Sequence, residues 1–150
     1  LGVSFALLDF AEQCPMDLCG VTIMETGGMK GRRRELTRVE LHDILCKGLK
    51  VKQIHSEYGM TELLSQAYSQ GEGLFRPAST MRVWAREGTD PFQVMGYERS
   101  GALNVIDLAN LDTISFIATD DLGKVYADGA FEVLGRLDAG DVRGCNLLVG

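Results

Sequence analysis

No stretch of this 150-residue chain approaches the roughly 20 consecutive apolar residues that a bilayer-crossing helix requires. The apolar start is interrupted by Asp9 and Glu12, and no basic stretch precedes it, so neither a membrane span nor a signal peptide is expected. Positive charge is in the minority, with 15 Lys and Arg against 21 Asp and Glu and a net charge of −6. That balance argues against a nucleic-acid partner, because neutralising phosphates needs a basic surface. The one basic cluster, Lys30 to Arg34, is short and reads equally as a phosphate grip or a solvated loop. The cysteines Cys14, Cys19, Cys46 and Cys145 form no zinc-like pairs. Their scattered spacing reads as reduced thiols, the first three in the core, and the expected compartment is the cytoplasm. Internal repeats and low-complexity segments are absent. An initiator methionine is absent too, and Gly150 follows an apolar run directly, so the chain reads as a piece of a longer protein.

What is present is globular in kind. At 45% hydrophobic and 24% charged residues, a chain of this length buries a core without disulfides or metals. Phe5, Leu8 and Ala11, with Leu7 beside them, predict a helix over Ser4 to Gln13. Val21 to Met24 predicts a strand running into the turn Glu25-Thr26-Gly27-Gly28, which is either a plain turn or a ligand loop. Thr37 and Glu40 form a capping-box pattern ahead of Leu41, Ile44, Leu45 and Leu49, so a helix is expected from there to about Gly48, with His42 on its surface. Strand, helix and strand in this order imply a parallel β-α-β unit.

The chain is organised around Ile54 to Ser69. An apolar strand ending in Val51 to Ile54 leads into a tight turn at Tyr58-Gly59, and a helix is expected to open near Thr61. Such junctions bind ligands, because strand C-terminal edges and helix N-termini present polar backbone to them. Tyr58 offers a flat face, Gly59 a close backbone approach, Thr61 a hydroxyl and Glu62 a carboxylate for a hard cation. His55, just before the turn, is either a base or a strand-end histidine bonded to backbone. Beyond Ser69 the chain turns β-rich. Strands are expected at Met81 to Arg86, where Trp84 serves packing, at Leu103 to Leu108 and at Ile114 to Ala118. Asp128-Gly129 predicts a hairpin between Lys124 to Tyr126 and Phe131 to Leu134, and Cys145 to Val149 reads as one more strand. The fold class is therefore α/β (α+β): a partial parallel β-α-β layer over 1–75, followed by a small antiparallel sheet or partial barrel over 76–150.

Tyr58-Gly59-Met60-Thr61-Glu62 resembles the YGxTE signature of adenylate-forming enzymes. Thr119-Asp120-Asp121-Leu122-Gly123, the hairpin at Asp128-Gly129 and Gly135-Arg136-Leu137-Asp138 resemble the elements that follow it there. Within that superfamily the phrases METGGMKGRRRE, HSEYGMTELLSQAYS and LGRLDAGDVRGCNLLV are similar to the acyl-protein synthetases of bacterial bioluminescence fatty-acid reductase systems. The resemblance implies ATP and Mg2+ as cofactors and a carboxylic acid, a fatty acid in the luminescence systems, as substrate. It implies Gly27 and Gly28 along the adenine with Tyr58 stacked on it, Gly59 in the same nucleotide loop, and Thr61 near the α-phosphate. Glu62 would bind Mg2+, Asp121 the ribose hydroxyls, and Arg136 would lie near ribose and phosphates. The acid would attack the α-phosphorus of ATP, giving an acyl-adenylate and pyrophosphate.

Two departures stand out. Asp120 occupies the position of the motif's glycine, leaving open which aspartate faces ribose, and the upstream phosphate loop is absent from these residues. The chain alone is therefore expected not to complete adenylation. Cys145, after Arg143-Gly144, resembles the cysteine that accepts the acyl group in the luminescence enzymes, and it reads equally as core filler. An acyl-acceptor or reductase protein is then a possible partner. The competing readings are an acyl- or aryl-CoA ligase and a noncatalytic nucleotide-binding or docking module.

Overall fold

The computed structural model describes residues 1–29, 31, 32, 34 and 36–137. The chain divides into two compact units at the Arg76–Pro77 junction. It is a mixed α/β protein, with a partly parallel sheet in the first unit and an antiparallel sheet in the second. Among the described residues, no helix is long and apolar enough to cross a membrane.

In the first unit the elements are β1 (Gly2–Val3), α1 (Ser4–Gln13), β2 (Met24–Thr26), α2 (Arg38–Leu49), β3 (His55–Tyr58), β4 (Ala67–Ser69) and β5 (Leu74–Pro77). They lie in the order β1-β2-β3-β4-β5. The first three strands are parallel, with Met24 opposite His55, Glu25 opposite Ser56 and Thr26 opposite Glu57. The expected β-α-β unit is therefore present. Its helix starts on the expected capping box: Glu40 N–H donates to Thr37 Oγ1 at 3.3 Å and Thr37 N–H to Glu40 Oε2 at 2.8 Å. Leu8, Ala11, Leu41, Leu45, Leu49, Val51 and Ile54 form the core beneath the two helices. The helix runs one residue past Gly48, to Leu49, and a bare Cα at 48 is what the approach to α1 requires. A Cβ there would stand 3.0 Å from that of Ala11. The chain leaves the helix through Lys50 in the left-handed region (φ 51°).

Several expectations shift. The strands begin three to four residues later than the apolar runs, because Ile23, Val51 and Ile54 serve the core from the approaches to the strands, while pairing starts at Met24 and His55. Ile44 lies at the margin of the helix face and is exposed. Cys14 and Cys19 are exposed in the loop after α1, not in the core as expected, whereas Cys46 is partly buried and packs against the core.

The helix expected from Thr61 does not form. Residues 61 and 62 make a turn, Leu63 N–H bonds back to Met60 O at 3.1 Å, and the chain reverses into β4, antiparallel to β3. Burial at Leu63, Ser65, Ala67 and Ser69 alternates with exposure at Leu64 and Tyr68, which is a strand period. Pairing along β3 satisfies the backbone groups that a helix would otherwise have satisfied.

A charged residue ties the layer together. Glu25, in the middle of β2, is 3% exposed. Ser4 Oγ at the head of α1 donates to its Oε2 at 2.7 Å, while Arg38 Nε and His42 Nε2 of α2 each lie 3.7 Å from its Oε1. Ser56 Oγ on β3 is 3.3 Å from His42 Nε2. His42, expected on the helix surface, is in fact turned onto the sheet. Burial raises the Glu25 carboxyl, but hydrogen bonds from His42, Ser56 and Ser4 and the charge of Arg38 outweigh it and leave it below the usual carboxylate range.

The second unit contains β6 (Met81–Arg86), β7 (Ser100–Asp107), a short 3-10 turn (Leu108–Asn110), β8 (Phe116–Val125) and β9 (Phe131–Arg136), in antiparallel order β6-β7-β8-β9. The segments Ile114 to Ala118 and Lys124 to Tyr126 belong largely to one ten-residue strand, β8, and the hairpin after it turns at Asp128-Gly129 as expected. Met81, Val83, Ala85, Ala102, Leu103, Val105, Val125, Ala130 and Phe131 are its buried apolar residues among those described. A bulge lies between Ala102 and Asn104 in the pairing with β8. The Leu103 carbonyl there accepts a hydrogen bond from the Thr119 hydroxyl at 2.7 Å. At the β8–β9 register shift, a Cβ on Gly123 would collide with the Glu132 carbonyl and stand 2.8 Å from Leu103 Cδ1.

Two outcomes are expected. Gly123→Ala should destabilise the protein by about 1–3 kcal/mol through overpacking, while Gly96→Ala, with open space around it, should fall within about 0.5 kcal/mol of wild type in urea unfolding. Glu25→Gln should cost about 3 kcal/mol near neutral pH, because it leaves Arg38 without its buried counter-charge. A depressed carboxyl contributes stability above its unfolded pKa and loses it as pH falls through the folded value. The gap between the two proteins should therefore narrow on acidification, which urea midpoints measured from neutral to about pH 3 would read.

Candidate functional site

The expected site residues fall into two groups, one in each unit. In the first, parallel pairing carries the C-terminal ends of β2 and β3 side by side. Thr26 is opposite Glu57, so Gly27 and Gly28 leave one strand next to the point where Tyr58 and Gly59 leave the other. Gly27 turns the chain at φ 70°, and a Cβ on Gly28 would meet nothing within 4 Å, so the backbone here is open to an approaching flat group. Gly59 is exposed and backs onto Gln66, with a Cβ 3.2 Å from Gln66 Cγ. Thr61 and Glu62 are exposed in the turn that follows. That turn opens no helix, so the Thr61 end of the site offers strand-end backbone and side chains, whereas the head of α1 at Ser4 lies beside the Gly27 end, where Val3 pairs with Thr26. Tyr58 is 8% exposed, with its ring 5.9 Å from that of Phe75 and tilted by 59°.

In the second unit, Asp121 and Arg136 are opposite one another on β8 and β9. Arg136 Nε lies 3.7 Å from Asp121 Oδ1, and Arg136 Nη2 lies 3.7 Å from Asp120 Oδ2. The two aspartates differ in setting: the side chain of Asp120 is 72% exposed and that of Asp121 18%. Thr119 holds the Asp121 backbone by accepting its N–H at 3.1 Å. The motif threonine is therefore an anchor, bound at once to the Leu103 carbonyl and to the backbone of the acid it precedes. Cys145 lies outside the described residues, as do Asp138 and Arg143.

The remaining candidates have local roles. The His55 ring bonds the Gln53 amide at 3.2 Å rather than backbone, Arg32 lies 5.0 Å over the Phe5 ring, and Arg34 pairs with Glu40 at the surface. An open cleft of about 910 Å³ in the first unit is lined by His42, Cys46, Lys52, Tyr68, Glu72 and Arg76, among others, and includes none of the expected site residues. No group of His, Cys, Asp and Glu among the described residues is arranged to hold a metal by itself. A cation at Glu62 would have to share its ligands with a bound phosphate or water, which suits Mg2+. The oxygen chemistry of Glu62 and Thr61 fits that ion.

The cluster around Glu25 was missed in the sequence. Its one signal is an acidic residue directly after the run Val21 to Met24, where the turn expected at Glu25-Thr26 proves to be strand. It resembles a serine–histidine–carboxylate set by composition only. Both Ser56 Oγ and Glu25 Oε1 approach the same histidine nitrogen, Nε2, so no proton relay through the ring is formed.

No protein-family model matches the chain, and no curated protein sequence matches it. Among solved structures, it is similar to O-succinylbenzoate coenzyme A synthetase (MenE) from Bacillus subtilis in complex with AMP, at 22% identity and a TM-score of 0.60 over 89% of this chain and 30% of that one. The same synthetase bound to the product analogue OSB-NCoA gives 21% identity and a TM-score of 0.63, covering 90% of this chain and 30% of that one. ATP-bound MatB from Rhodopseudomonas palustris gives 13% and 0.57, covering 89% and 33%. The chain thus spans about a third of the length of these proteins, and what it shares with that third is the fold.

Proposed function

We propose that this chain is the nucleotide-binding part of an ATP-dependent enzyme that activates a carboxylic acid as its acyl-adenylate and passes the acyl group to a thiol. The observation that carries the reading is the convergence of two motifs at neighbouring strand ends: Gly27-Gly28 after β2 and Tyr58-Gly59-Met60-Thr61-Glu62 after the parallel strand β3. The likeness in fold to synthetases solved with AMP and with ATP and magnesium supports it.

In this reading Gly27, Gly28 and Gly59 give the adenine close access to backbone beside Tyr58. Asp121 takes the ribose diol, since an ionised carboxylate offers two acceptor oxygens to two hydroxyls. Asp121 is preferred to Asp120 because its backbone is fixed by Thr119. Arg136, exposed and already drawn to both aspartates, supplies positive charge near ribose and phosphates. Thr61 donates a hydrogen bond at the α-phosphate, and Glu62 holds Mg2+, whose charge offsets that of the phosphates when it is bound. The finer reading is an acyl-protein synthetase of the cytoplasm, with a fatty acid as substrate, Cys145 as acyl carrier and an acyl-acceptor or reductase protein as partner. Thiolate suits that role, being strongly nucleophilic and giving a thioester able to pass the acyl group on. A second reading, favoured by the coenzyme A synthetases among the similar folds, sends the acyl group to coenzyme A instead.

Intact-mass analysis of the longer protein with ATP, Mg2+ and a panel of fatty and aromatic acids separates the two. A hydroxylamine-labile adduct lost in Cys145→Ala is expected. Pyrophosphate release without an adduct, with acyl transfer to added coenzyme A, would assign the ligase reading. Glu62→Gln and Asp121→Asn should each lower pyrophosphate release by at least about tenfold, and unchanged rates in both would overturn the nucleotide assignment.

A further inference from the structure

We infer that Glu25 is a positioning residue for the nucleotide edge of the first unit, setting the glycine turn through Ser4 and the Tyr58 ring through Arg38 and Phe75. The inference rests on the nucleotide-binding reading, which it deepens by naming what holds that edge in shape.

The first arm is a hydroxyl with three neighbours. Ser4 Oγ lies 2.7 Å from Glu25 Oε2, 3.1 Å from the Gly27 carbonyl and 3.3 Å from the Thr26 carbonyl. One hydroxyl hydrogen serves all three acceptors, and the carboxylate, being charged and nearest, takes the largest share. The carboxylate thereby fixes the serine oxygen against the two carbonyls of the turn, and the open backbone at Gly28 comes immediately after. Ser4 is 1% exposed, so no water competes for it.

The second arm is a stack. Arg38 lies beside Glu25 Oε1, and the same guanidinium sits 4.8 Å over the Phe75 ring. Phe75 in turn is tilted onto Tyr58 at 5.9 Å between centroids. A cation over an aromatic face keeps its geometry when its charge is anchored elsewhere, and here the buried carboxylate is the anchor. His42 and Ser56 complete the shell on the β3 side, where Ser56 is opposite Glu25 in the pairing. The four elements that meet at this carboxylate include both strands whose ends carry the motifs.

A purely structural carboxylate would loosen everything together, whereas two separate arms give separable effects. The test uses NMR of the isotopically labelled 150-residue chain, without ligand and then titrated with ATP and Mg2+. Ser4→Ala should move the Gly27 and Gly28 amide signals and leave the Tyr58 ring signals in place. Arg38→Met should do the reverse, and Glu25→Gln should move both. Each variant should weaken ATP binding by about tenfold, the effect of losing one supporting charged hydrogen bond. Ser4→Ala removes a single oxygen and keeps the ion pairs, so it tests the first arm even where Glu25→Gln fails to fold. Signals that move together in all variants, or do not move at all, would overturn the inference. Separable movements in a wild-type chain that does not respond to millimolar ATP would instead overturn the nucleotide reading, and the inference with it.

Discussion

A carboxylate enclosed at the middle of a sheet is expensive unless its surroundings supply hydrogen bonds and opposite charge. Glu25 obtains them from every element of the first unit that it touches: a hydroxyl from the first turn of α1, a guanidinium and an imidazole from α2, and a strand partner, Ser56, on β3. Those elements are separated by long stretches of sequence, and the apolar core alone would tolerate small slides between them. A charge that must be met at 2.7 Å by one group and flanked by two others at 3.7 Å does not. The leucines of α2 press the helix onto the sheet, and Arg38 and His42, each three residues before a core leucine (Leu41 and Leu45), fix its rotation and its height.

That constraint reaches the strand ends because parallel strands present their C-terminal edges on the same side. Glu25 is two residues before Gly27, and Ser56 is two before Tyr58. The carboxylate and its partner therefore sit at equal depth beneath the two motif loops. Exposed groups such as Thr61 and Glu62 follow strands whose register is met from below by the buried Glu25, Ser4 and Ser56.

Much of this was legible. The capping box at Thr37, the helix at Ser4 to Gln13, the parallel β-α-β order, the strand at Met81 to Arg86 and the hairpin at Asp128-Gly129 all carry local signals that tertiary contacts reinforced. The helix expected after Thr61 was misread because LLSQAYS has acceptable helix formers and no breaker, while its alternation of small buried and exposed side chains is visible only once β3 is known to be its neighbour. Strand starts were misplaced for a related reason: an apolar run marks burial, and burial begins before hydrogen-bonded pairing does. Glu25 and His42 were hidden because a charged residue and a helix histidine are on the surface far more often than beneath it.

The motif that resembles TGD-x-G divides into residues with different physical duties. Thr119 satisfies a carbonyl that the β7 bulge leaves unpaired, and Gly123 admits the Glu132 carbonyl and Leu103 where any side chain would collide. Both follow from the fold and would be needed whatever the strand carried. Asp120, Asp121 and Arg136 form ion pairs at 3.7 Å, and the one between Arg136 and Asp120, largely exposed at both ends, contributes little to stability. In the first unit Tyr58 is built into the aromatic pair with Phe75, while Thr61 and Glu62 stand exposed in the turn after β3. Likeness of fold accounts for the anchoring half of each motif. On the proposed reading, the exposed groups of each unit are the ones that would meet the ligand.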